Sequence, residues 1–89
     1  MTPTVTFRRA GADRVHVTVV DSWEVLDKAE RYPEYWLLLD FKDAGYSMVD
    51  WFVSGSTVRR VSPTELRLTL VRRSSVPVGE IPALFGDKP

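Results

Sequence analysis

Two apolar runs separated by one tight turn constrain this chain more than any other feature. Tyr35-Trp36-Leu37-Leu38-Leu39-Asp40-Phe41 precedes Asp43-Ala44-Gly45, and Tyr46-Ser47-Met48-Val49-Asp50-Trp51-Phe52-Val53 follows it. Such runs around a Gly-bearing turn predict a β-hairpin closed by Gly45 in the left-handed conformation. Its register would set Lys42 opposite Tyr46, Asp40 opposite Met48, Leu38 opposite Asp50 and Trp36 opposite Phe52. The reverse side would pair Leu39 with Val49, Leu37 with Trp51 and Tyr35 with Val53. Apart from the Phe41–Ser47 pair, that second side is apolar and is the expected core face. A slip of one residue would set Leu39 against Asp50 and mix the two faces.

The flanking segments read as strands and one helix. Thr4-Val5-Thr6-Phe7-Arg8 and Arg14-Val15-His16-Val17-Thr18-Val19 alternate polar and apolar residues, the period of half-buried strands. Folding them about Ala10-Gly11-Ala12-Asp13 sets Phe7 opposite Val17 and Val5 opposite Val19. Asp21 followed by Glu24 gives a capping-box-like start. Val25, Leu26, Ala29 and Tyr32 then fall at helical spacing, and Pro33 ends the segment. A helix over about residues 22–32 is expected, lying on the sheet through Val25, Leu26 and Ala29. Ser54-Gly55-Ser56 turns the chain, Thr57–Val61 forms a short strand, and Ser62-Pro63-Thr64-Glu65 turns it again. Leu66-Arg67-Leu68-Thr69-Leu70-Val71-Arg72 places Leu66, Leu68 and Leu70 inward.

Together these segments predict a mainly β to α+β fold. It is a single antiparallel sheet of five to six strands, curled into a half-barrel or small sandwich, with the one short helix packed on it. Residues 1–74 are expected to form one compact domain. Residues 75–89 are punctuated by Pro77, Pro82, Pro89, Gly79 and Gly86, yet carry Val76, Val78, Ile81, Leu84 and Phe85. A segment so apolar must bury itself, against its own domain or a neighbouring subunit.

At 89 residues the chain has a thin core, about 60–65% of the unfolded surface being buried at this size. It has no cysteine, which excludes disulfides, thiolate nucleophiles and cysteine zinc sites and favours a reducing, cytoplasmic compartment. Met1 leads into a polar, β-like stretch, so no secretory leader is expected. The longest apolar run, Tyr35–Leu39, is far short of a membrane span. Twelve basic residues balance twelve acidic ones, but unevenly. Residues 21–50 hold eight acids against Lys28, Arg31 and Lys42. The segments on either side are net basic. The expected resolution is that acidic and basic elements pack side by side, with Asp50 facing Arg59 or Arg60 in a cross-strand ion pair.

No catalytic constellation emerges. Asp40 and Asp50 have no nucleophile placed beside them. His16 is the single histidine, is expected at the surface, and cannot alone hold a metal. Ser54-Gly55-Ser56-Thr57 lacks the spacing of a phosphate loop. No cofactor or metal is therefore expected, and the chain reads as a non-enzyme.

The residues point to a protein-interaction or assembly module, a small structural or inhibitory protein of mobile-element or phage type, working as a homo-oligomer or on another protein. Its binding residues would be Trp36, Leu38, Tyr46, Met48 and Phe52 on the outer hairpin face, with Ile81, Leu84 and Phe85 of the C-terminal segment. Tryptophan, tyrosine and arginine dominate such interfaces. The alternative is a small barrel that binds single-stranded nucleic acid. It would use the doublets Arg8-Arg9, Arg59-Arg60 and Arg72-Arg73 beside exposed aromatics. Neighbouring residues of a strand point to opposite faces, so each doublet offers one arginine outward.

Overall fold

The structure, a computed structural model, describes residues 2–76. Its elements run β1 (Thr4–Arg9), β2 (Arg14–Val20), α1 (Trp23–Arg31), α2 (Pro33–Trp36), α3 (Leu38–Asp43), β3 (Trp51–Val53), β4 (Arg59–Ser62) and β5 (Glu65–Arg72). The strands form one open antiparallel sheet in the order β1-β2-β5-β3, with β4 also paired to β5. The short helices lie against one face of it.

The β1–β2 hairpin has the expected register, Phe7 against Val17 and Val5 against Val19. β5 lies on the other side of β2, with Val17 opposite Leu68 and Val15 opposite Leu70. Parity then divides the sheet. Val15, Val17, Val19, Leu66, Leu68 and Leu70 are buried in one core with Leu26 and Ala29 of α1 and Phe41 of α3. The helix starts one residue later than expected. Ser22 is its cap, accepting from Val25 N–H through Oγ at 3.4 Å, while Asp21 Oδ1 accepts from Ser22 N–H at 2.7 Å. Val25, expected inward, is exposed, as is Tyr32.

β3 and β4 both pair with β5, at its two ends. They form one lane of the sheet, broken by a 3-10 turn at Gly55–Thr57. Across the break, Ser54 N–H still donates to Thr69 O at 2.9 Å. Thr69 N–H finds the Thr57 hydroxyl instead of a carbonyl, also at 2.9 Å. That hydroxyl donates onward to Ser54 O at 2.7 Å. A side chain thus keeps a buried backbone donor paired where the ladder fails.

The central hairpin expected over 35–53 is not formed. Pro33–Trp36 and Leu38–Asp43 are helical, and only Trp51–Val53 is strand. The physical reason is local. Pro33 sits at the start of α2 with Glu34 behind it, a helix-opening pair. No β-branched residue lies between Tyr32 and Met48, and Leu37 and Phe41, four apart, are both buried. Gly45 does have positive φ, at 93°, but it closes a helix. Tyr46 N–H bonds Phe41 O at 2.8 Å and Gly45 N–H bonds Lys42 O at 3.0 Å, the paired bonds of a Schellman cap. Trp36 therefore does not face Phe52, nor Asp40 Met48. Leu37 and Trp51 do share the core, from a helix boundary and a strand. Leu39, Val49 and Tyr35, expected on the core face, are among the most exposed apolar side chains.

The expected Asp50 ion pair with Arg59 or Arg60 is also absent. Arg60 turns to the covered face, where it meets Asp27 at 3.0 Å and Glu30 at 2.9 Å on α1 and donates to Trp23 O. Asp50 instead accepts from Arg73 N–H through its backbone oxygen. Among the described residues no helix is long and apolar enough to cross a membrane.

Candidate binding surfaces

The outward side of α1 carries Trp23, Glu24, Asp27, Lys28 and Arg31. With Tyr32 and Trp36 these residues line a depression of about 380 Å³. Trp23, Tyr32 and Trp36 are 56%, 64% and 45% exposed, so three large aromatic side chains stand in solvent around one hollow. Burying Leu26 and Ala29 forces the opposite stripe of α1 outward. Pro33 then starts α2 at once, which brings Trp36 back beside Lys28. The Lys28 Nζ lies 5.2 Å from the Trp36 ring centroid, and Tyr35 meets Trp36 edge-on at 5.3 Å. Glu34 Oε2 accepts from Val53 N–H at 3.1 Å, tying α2 to the free edge of β3.

Among the described residues expected to bind a partner, only Trp36 stands exposed here. Leu38 and Tyr46 are half-buried against the core. Tyr46 stacks on Phe7 at 5.4 Å and meets Trp51 edge-on at 5.2 Å. Met48 and Phe52 are buried. Leu38, Tyr46 and Met48 fail as an outer face because the hairpin that would have presented them is a helix and a turn folded inward, and Phe52, on the strand β3, is covered where it stands. Ile81, Leu84 and Phe85 lie outside the described residues, as does the expected C-terminal segment apart from Ser75 and Val76. Trp23, Tyr32, Lys28 and Arg31 were missed. A helical wheel anchored on Leu26 and Ala29 would have placed Lys28 and Arg31 outward, and Trp23, three residues before Leu26, at the edge of the covered stripe.

The arginine doublets divide as strand parity requires. Arg8 and Arg59 point to the sheet face away from the helices, whereas Arg9 and Arg60 point to the helical side. Arg9 and Arg72 flank Trp51, at 5.6 and 4.5 Å from its ring, and Arg72 also reaches Asp13 at 3.5 Å. Arg73 lies 5.7 Å from the Phe52 ring centroid and donates through Nε to Met48 O at 2.9 Å. His16 is exposed, with its Nδ1 3.2 Å from Thr69 Oγ1. The exposed aromatics and the outward arginines Arg8 and Arg59 thus occupy opposite sides of the molecule.

Fold and surfaces together define a small open-sheet domain with a helical layer on one side. Comparison with family models, with curated proteins and with solved structures finds no match to this chain.

Proposed function

We propose that this chain is a protein-interaction module without catalytic activity of its own, receiving a partner polypeptide in the hollow between α1 and α2. The observation that carries this reading is the exposure of Trp23, Tyr32 and Trp36 around one depression. Exposed aromatic side chains of this size are the usual anchors of protein interfaces. The charges at the rim favour an apolar segment flanked by carboxylates. Asp27 and Glu30 are already held by Arg60, and the remaining cations, Lys28 and Arg31, outnumber Glu24. A reducing compartment such as the cytoplasm suits a domain that builds its core without cysteine.

Peptide display against the folded chain tests this, with the Trp23→Ala/Trp36→Ala double variant as counter-target. Both side chains are more than two-fifths exposed, so the variant should keep the parent's circular dichroism. The expected result is a set of apolar, acid-flanked peptides that bind the parent and blue-shift its tryptophan emission, but do not bind the variant. Selected peptides that bind both proteins equally would overturn the reading.

A further inference from the structure

The geometry points to a second site, on the sheet face away from the helices, that binds a compact phosphate anion. It goes beyond the interaction module and shares no residue with it. The strand register builds it as a grid. Arg8 lies opposite His16, which lies opposite Thr69, across β1, β2 and β5. In the adjoining row Arg67 of β5 lies directly opposite Arg59 of β4. The fourth lane is broken at Gly55–Thr57, and there Thr57 joins the other five in lining a depression of about 450 Å³. That volume is in the range of small-molecule sites, about 300–1,000 Å³.

The charges in this depression are not balanced from within. Arg67 has one carboxylate, Glu65, at 2.8 Å. Arg8 and Arg59 have no ion pair among the described residues. Like charges directly opposite on neighbouring strands repel, so the Arg59–Arg67 pair is an unfavourable contact that a bound anion would relieve. Guanidinium forks match the oxygens of phosphate in two-pronged geometry. His16 adds a polar group within the same hollow, whereas the Thr57 hydroxyl, whose proton goes to Ser54 O, shapes the wall. A nucleic-acid strand fits less well. The one aromatic side chain that register places on this face, Phe52, is 8% exposed, so bases find no stacking platform. The chain's net charge of zero also gives no long-range field to gather a polyanion.

Titration of the full chain with pyrophosphate at constant ionic strength, followed by amide chemical shifts, tests the proposal. The expected result is saturable shifts at Arg8, His16, Thr57, Arg59 and Thr69. Arg8→Gln and Arg59→Gln should each weaken binding about tenfold or more, the scale of one charge-assisted hydrogen bond. The Trp23→Ala/Trp36→Ala variant should bind pyrophosphate as the parent does, which separates this site from the aromatic hollow. Shifts that stay linear in ligand, or arginine variants that bind as tightly as the parent, would overturn the site. An oligothymidylate of about twelve nucleotides, a length that would span the sheet, should bind no tighter than pyrophosphate. Much tighter binding by the oligonucleotide would overturn the assignment to a compact anion.

Discussion

The two faces of the sheet are made by the same strands and differ in nearly everything else. On the helical side, alternate residues of β1, β2 and β5 are Val5, Phe7, Val15, Val17, Val19, Leu66, Leu68 and Leu70, and those of β2 and β5 are buried. On the other side the intervening residues include Thr6, Arg8, His16, Thr18, Arg67 and Thr69, most of them in contact with solvent. A period of two therefore lets one short chain separate the surface that holds it together from a surface free to vary. The consequence is that stability and ligand binding should respond to different residues, even to neighbours in the chain.

The largest effect should come from the centre of the covered face. Phe41 is fully buried, and its ring meets Phe7 edge-on at 6.0 Å. Phe41→Ala should cost about 3–5 kcal/mol, the range for truncating a buried aromatic side chain. That approaches the whole stability expected of a domain this size, about 5 kcal/mol at the low end. Equilibrium urea unfolding checks it. A loss below about 1 kcal/mol would mean that the helical layer is not what holds this face.

Thr57 sits where the comparison is least clean, because the break it bridges shapes the open face while its hydroxyl pairs a buried donor. Thr57→Val keeps the shape and removes the acceptor for Thr69 N–H. The expected loss is about 1–3 kcal/mol, the cost of an unpaired buried donor. Thr57→Ser, which keeps the hydroxyl, should recover most of it. Equal melting of the valine and serine variants would show that the break needs no side-chain acceptor.

Gly45 tests the layer on the covered face through backbone alone. Nothing lies within 4 Å of a Cβ added there, and its φ is +93°. Gly45→Ala should therefore cost only the left-handed penalty, about 1–2 kcal/mol, read as a lower urea midpoint at unchanged slope. An unchanged midpoint would mean that the Schellman closure contributes little.

That glycine also shows what was legible in the sequence. A hairpin turn and a helix cap both call for positive φ, so the backbone requirement was readable while the element around it was not. β1, β2 and β5 were readable because apolar residues, mostly valine in β1 and β2 and leucine in β5, alternate with polar ones over six to eight positions. The run Leu37-Leu38-Leu39 has no period of its own. Only the four-residue spacing of Leu37 and Phe41, and the lack of valine, isoleucine or threonine around them, mark it as helical. That each of the doublets Arg8-Arg9 and Arg59-Arg60 turns one arginine outward followed from parity alone, but which member of Arg59-Arg60 does so did not. The two depressions did not, since one depends on a break in the β3–β4 lane and the other on how α2 folds back along α1.

The doublet Arg59-Arg60 gives the smallest and sharpest comparison, since two identical neighbours face opposite ways. Arg60 holds two carboxylates of α1, yet those carboxylates are about half exposed, so solvent screens the pairs. Arg60→Thr should cost about 1 kcal/mol, the upper range for such pairs, and less in high salt. Arg59 faces Arg67 with no ion pair of its own among the described residues. Arg59→Thr should change stability by less than about 0.5 kcal/mol, the usual limit for surface substitutions, and in the stabilising direction because a repulsion is removed. Threonine also suits a strand better than arginine does, so Arg67→Thr is the needed partner. In the double variant the two gains should sum to less than their separate values, because the repulsion can be relieved only once. Simple additivity would mean that Arg59 and Arg67 do not repel one another, and the argument for an anion between them would lose its electrostatic basis.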